Sequence, residues 1–90
     1  MKTHFLVKGR VIGVGYRSLV NRIALETGVA GFVKNLADDV EVHVEGEEKQ
    51  VKEFLKRISV KSNSFIGPHV ESVQEMECKC KQYEDFRILF

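Results

Sequence analysis

Charge of one sign is missing from this sequence: 14 Lys and Arg face 13 Asp and Glu, a formal net charge of +1 over 90 residues. A surface so balanced exerts little long-range pull on nucleic acid or an anionic bilayer, and neither is expected as a partner. No apolar run approaches the roughly 20 residues that a spanning helix needs. Residues 1–3 lead straight into a strand-like stretch without the layout of a signal peptide, so a cytoplasmic protein is expected. Cysteine is scarce. Cys78 and Cys80 are the only two, and on a strand they share a face, where a disulfide between them is strained. Two thiolates are half a zinc site, which leaves a pair of reduced thiols, as cytosolic proteins keep them. His4, His43 and His69 are scattered, none at ligand spacing from another, so no metal and no cofactor are expected. There are no internal repeats and no linker, and one domain over residues 1–90 is expected. At this length roughly 60–65% of the unfolded surface is buried, so a small core has to be used fully.

What is present is concentrated in residues 9–17, which read G-R-V-I-G-V-G-Y-R. Three glycines fall within seven residues, after the apolar Phe5, Leu6 and Val7 and before a helical pattern. A strand that turns through glycines into a helix makes a cradle of main-chain N–H groups, and unpaired donors and helix dipole together favour an anion. Arg17 stands where the helix begins, and a guanidinium can fork two hydrogen bonds onto a phosphate held there. The dinucleotide fingerprint G-x-G-x-x-G is not met, because Gly13 and Gly15 are followed by Ser18, and no second βαβ half fits. The Walker A loop is not met either, since no Lys follows these glycines. A cysteine phosphatase places its nucleophile six residues before the loop arginine. That position is Val11 here, so a phosphate in this loop would have to be attacked by water.

The periodicities predict the frame around the loop. Residues 4–8 read as a strand with Phe5 and Val7 on one face and Leu6 on the other. Tyr16, Leu19, Val20, Ile23, Ala24 and Thr27 form one helical stripe, which Gly28 ends. Leu25 lies off that stripe for no reason visible in the sequence. Residues 29–35 are a second strand and 40–45 a third, where Val40, Val42 and Val44 alternate with Glu41, His43 and Glu45. Val51, Phe54, Leu55 and Ile58 give a second helical stripe, with acidic residues at its start and Lys56 and Arg57 at its end. A loop is expected over 59–67, a fourth strand within 70–80 and a short fifth over 86–90. The order β-α-β-β-α-β plus a final strand predicts an α+β fold, a ferredoxin-like sandwich in which two helices cover one face of an antiparallel sheet.

Residues 9–17, together with Gly31, Phe32, Val33, Lys34 and Asn35, resemble the acylphosphatase family. Its first motif is close to G-x-V-Q-G-V-x-[FY]-R, departed from here only at Ile12. Its second is a Gly, an aromatic, a small apolar residue, a variable residue and an Asn. The likeness runs on through residues 40–46, the Gly67-Pro68 turn and Phe86-Arg87-Ile88. The resemblance implies the same ferredoxin-like fold and hydrolysis of a small-molecule acyl phosphate. It also implies that Arg17 binds phosphate and is catalytic, and that Asn35 positions the attacking water. The main-chain cradle is expected from Ile12, Gly13, Val14, Gly15, Tyr16 and Arg17. These roles are chemically coherent. The leaving carboxylate has an unperturbed pKa of roughly 4 and needs no general acid. What remains is to spread phosphoryl charge and hold water in line, and an amide both donates to and accepts from water.

Taken singly, Arg17 fits a solvated helix residue, Asn35 a turn former and Ser18 a helix start; two motifs in order, 18 positions from Arg17 to Asn35, outweigh those readings. The turn after Asn35 is one residue shorter than the family's common form, with Asp38-Asp39 where a glycine-containing turn is usual. A tilted Asn35, or negative charge beside an anionic substrate, would lower activity without abolishing it. An RNA-binding module of the same topology is disfavoured, because the third strand exposes glutamates and no aromatic. A non-catalytic phosphate- or carbamoyl-phosphate-binding module, as at the start of hydrogenase-maturation carbamoyltransferases, is the alternative. The strand pattern is complete by Phe90, which favours a free-standing monomeric enzyme.

Overall fold

The computed structural model describes residues 1–59, 67–76 and 82–89. In chain order its elements are β1 (Lys2–Arg10), α1 (Tyr16–Thr27), β2 (Ala30–Leu36), β3 (Asp39–Glu45), α2 (Glu48–Ile58), β4 (His69–Met76) and β5 (Phe86–Leu89). This is the expected β-α-β-β-α-β order with a final strand. Strand β1 is longer than its apolar centre predicts, because its ends are also paired: Lys2 faces Glu45 of β3 and Arg10 faces His69 of β4. The expected reduced pair Cys78 and Cys80 lies outside the described residues, as does most of the loop expected after α2.

The five strands form one sheet in the order β4-β1-β3-β2-β5. Its four longer strands pair antiparallel, as expected. Strand β5 adds parallel to β2, so the whole sheet is mixed. The reason is directional. β4 and β5 hold opposite edges and run in opposite senses, so β5 enters from the end of the sheet where β4 leaves, which is the sense of β2.

Alternation decides which face is which. Phe5, Val7, Val33, Val40, Val42 and Val44 are buried, and they join Tyr16, Val20, Ile23 and Ala24 of α1 and Val51, Phe54 and Ile58 of α2 in one core. Each of the valine, isoleucine and phenylalanine side chains contributes about 1.5–3 kcal/mol by leaving water. Leu25, off the apolar stripe, is 70% exposed on the outer side of α1. The residues between the buried valines, Glu41, His43 and Glu45, stand on the face that the helices leave open, with Lys2, His4 and Leu6 beside them. At Gly31 β2 leaves no room for a side chain beside β3: a Cβ there would lie 1.9 Å from the His43 carbonyl oxygen. The first residue of the second motif is therefore demanded by packing of main chain on main chain.

Candidate phosphate-binding site

Two of the glycines between β1 and α1 take left-handed conformations, Gly13 at φ +72° and Gly15 at φ +76°. A Cβ on either would meet nothing within 4 Å, so they are needed for the path of the chain and not for room. Gly15 occupies the N-cap of α1 and supplies no side-chain cap, and the first turn holds no acidic residue. The helix's first main-chain bond runs from Leu19 N–H to the Gly15 carbonyl at 3.1 Å. The N–H groups of Tyr16, Arg17 and Ser18 precede that ladder and point out of the helix end, where the dipole is positive. Alternating left-handed residues turn successive N–H groups to one side, the geometry of an anion nest.

The loop is held at both ends. Val11 is 2% exposed and Val14 packs against the core, whereas Ile12 points outward at 38% exposure. Tyr16 is 1% exposed, and its hydroxyl donates to the Ile58 carbonyl at 2.7 Å, closing the C-terminal end of α2. Burial raises the Tyr16 phenol far above its ordinary pKa. The aromatic of the first motif thus ties the start of one helix to the end of the other.

Strand register sets Asn35 at the end of the sheet from which this loop leaves. Strands β1 and β2 both run antiparallel to β3, hence parallel to each other. Val7 pairs with Val40, and Val40 pairs with Asn35. Asn35 therefore lies level with Val7, the last buried residue of β1, three residues before that strand ends at Arg10. It shares a face with Gly31 and Val33, the face that carries the helices. Arg17 reaches the same end: its Nη1 donates to the Leu89 carbonyl at 3.3 Å, and Leu89 pairs with Lys34, the neighbour of Asn35. The amide oxygen Oδ1 of Asn35 is buried with no hydrogen-bond partner. Buried acceptors are rarely left so, and each exception calls for an explanation.

Asp39 pairs with Leu36 and alternates with Val40, so it stands on the open face, away from Asn35. Of the two aspartates expected beside the substrate, Asp39 is thus turned to the other side of the sheet. The connecting turn is two residues, Ala37 and Asp38, and Ala37 takes a left-handed φ of +45°.

Sequence reasoning missed three parts of the molecule. The Leu89 carbonyl and the Ile58 carbonyl are main-chain partners that no motif announces. The third is a cluster on the open face. His4 and His43, set apart in the sequence, are direct cross-strand partners with ring centroids 3.9 Å apart. His4 Nε2 lies 3.1 Å from Glu41 Oε2, and His43 Nε2 lies 3.9 Å from Glu41 Oε1. Burial, then the neighbouring His4, lowers the His43 pKa, partly opposed by Glu41. The alternation of β3 with an antiparallel β1 was the signal that placed both imidazoles on one face.

A family model described as acylphosphatase matches residues 3–88. An acylphosphatase of Bacillus pumilus is 37% identical over 86 residues, covering 94% of this chain and 93% of that relative. A probable carbamoyltransferase HypF of Methanocaldococcus jannaschii is 32% identical over 89 residues, covering 99% of this chain and 12% of the relative, so the chain spans about an eighth of that protein's length. Among solved structures, an acylphosphatase from Bacillus subtilis superposes with a TM-score of 0.84 at 31% identity, covering 99% of this chain and 98% of that one. Among the described residues, no helix is long and apolar enough to cross a membrane.

Proposed function

The chain belongs to the acylphosphatase family, and from that premise we propose that it hydrolyses acyl phosphates to a carboxylate and inorganic phosphate by direct attack of water. The observation that carries the mechanism is the buried, unpartnered Oδ1 of Asn35, on the helix-bearing face at the end of the sheet that Arg17 also reaches. A water donating one O–H to that oxygen has its lone pairs turned to the phosphorus. The N–H groups of residues 12–17 and the Arg17 guanidinium take the phosphoryl oxygens and the charge that builds on them. The water oxygen bonds to phosphorus, the bond from phosphorus to the acyl oxygen breaks, and its electron pair leaves on a carboxylate. With a leaving-group pKa of roughly 4, no side chain has to protonate it. One water proton leaves to solvent or to the new phosphate. No step calls on a metal ion, so turnover should persist in chelator.

The test is loss of benzoyl phosphate absorbance with chelator present, wild type beside Arg17→Gln. Turnover confined to the wild type supports the assignment, since the substitution removes the forked contact and its charge together. Near-normal turnover in Arg17→Gln rejects it.

A second reading is favoured by the near-complete match of this chain to one end-to-end segment of a much longer carbamoyltransferase relative. In that reading the same cradle serves carbamoyl phosphate. Both acyl phosphates present the same phosphoryl group to the loop, so their relative kcat/KM separates the two. Strong preference for carbamoyl phosphate favours the second.

A further inference from the structure

On the open face of the sheet, opposite the helices, we propose a binding site for a divalent transition-metal cation of the zinc type, made by His4, Glu41 and His43. One ligand atom from each residue lies within 4.8 Å of the other two. Around tetrahedral zinc, with bonds of about 2.0–2.2 Å, ligand atoms stand roughly 3.4 Å apart. His4 Nε2 and Glu41 Oε2 are already at 3.1 Å, and His43 Nε2 is 3.9 Å from the other carboxylate oxygen. The remaining adjustment is about 1.4 Å at most, within reach of side-chain torsions at a half-open surface. The three side chains are 16%, 22% and 12% exposed, so they are sheltered without being sealed from solvent.

The positions are set by the backbone. His4 faces His43 across the ladder, and Leu6 faces Glu41 one step further along the same pair of strands. Side chains at 41 and 43 of β3 share a face with His4 of β1. The His43 ring stacks on Phe32 at 4.3 Å and on His4 at 3.9 Å, and the more open His4 ring has to swing out of that stack for both imidazoles to face one ion. The far nitrogen of His43 is also engaged. Nδ1 lies 3.4 Å from the Tyr83 hydroxyl, and in the tautomer whose Nδ1–H donates to that oxygen, Nε2 is the lone-pair nitrogen open to a metal ion. A metal-binding histidine ordinarily has its second nitrogen held in this way. Two imidazoles and a carboxylate are a donor set that suits zinc, leaving a fourth position for water. Glu45 stands nearby but is engaged elsewhere, accepting from Tyr83 N–H at 2.8 Å and lying 3.6 Å from Lys2 Nζ.

The site and the cradle are on opposite faces, so this inference does not rest on the hydrolytic reading. Isothermal titration of Zn²⁺ into the metal-stripped chain should give one site per chain, and Zn²⁺ should raise the Tm. Tyr83→Phe should weaken binding by about tenfold, and His4→Gln or His43→Gln by more than about 100-fold. Cys78→Ser with Cys80→Ser, and separately Arg17→Gln, should leave the titration unchanged. In the wild-type chain, imidazole nitrogen resonances of His4 and His43 should shift on adding Zn²⁺ while those of His69 stay put, a readout that needs no variant. The proposal is overturned by absence of binding in the folded wild type at millimolar Zn²⁺, by unaltered binding in His4→Gln/His43→Gln, or by loss of binding in the cysteine variant.

Discussion

Replacing Asn35 by alanine should separate stability from activity. Its Oδ1 has no protein hydrogen-bond partner, so alanine breaks no protein hydrogen bond at that oxygen and loses only some packing, because Asn35 lies on the helix-bearing face opposite fully buried Val40. The change in unfolding free energy should therefore stay within about 1 kcal/mol of zero. For a domain of this size 1 kcal/mol moves the Tm by roughly 4–8 °C. Turnover should fall much further. A donor or acceptor that orients a reacting group is worth about 2.7–4 kcal/mol in the transition state, a loss of about 100- to 1,000-fold in kcat. Inhibition by inorganic phosphate should stay near the wild-type value, because the cradle and Arg17 are untouched. Urea unfolding followed by circular dichroism, beside benzoyl phosphate kinetics on the same preparations, reads all three quantities. A variant destabilised by more than about 1 kcal/mol with kcat close to wild type would make Asn35 a turn former and sink the reasoning.

Tyr16→Phe deletes the donor to the Ile58 carbonyl where both partners are buried. Unfolding free energy should fall by about 1–3 kcal/mol at an unchanged denaturant slope, and a loss below a few tenths would mean that the helices are not tied at this point. Ala37→Gly relieves the positive φ of the two-residue turn. Left-handed strain in alanine of about 1–2 kcal/mol exceeds the entropic penalty of glycine, about 0.5–1 kcal/mol, so the variant should melt higher; a lower Tm contradicts the assigned turn.

The fold was legible where one period ran long enough to be read. Val40, Val42 and Val44 declared both a strand and its buried face, and Val51, Phe54 and Ile58 declared a helix and its buried stripe. The four-residue β5 carried too little pattern to declare its direction, which is decided by the edge at which it arrives. The candidate site was legible as residue types and obscure as geometry. Arg17 and Asn35 could be named because their motifs are local. The Leu89 carbonyl beside Arg17 is 72 positions away and carries no side-chain signature. The contact between His4 and His43 was hidden for a related reason. Ligand spacing along a chain describes helices and hairpins, whereas these two meet only after α1 and β2 have passed between them and β3 has paired back on β1.

The departures from the family motifs follow the same logic of faces. Ile12 replaces a glutamine, yet its side chain turns outward at 38% exposure, so in the proposed cradle this position would contribute only an N–H, which any residue except proline supplies. The short turn after Asn35 brings two aspartates close in sequence. In an antiparallel ladder, however, closeness in sequence does not set which side a charge is felt on. Asp39 is one residue from Val40, the partner of Asn35, and that single step of alternation places its carboxylate across the sheet from the proposed anion site. A longer turn that moved the register by one would carry Asp39 to the helix-bearing face and Val40 to the open one. The left-handed Ala37 closes the turn in two residues, and that length fixes the register that sets Asp39 on the far side.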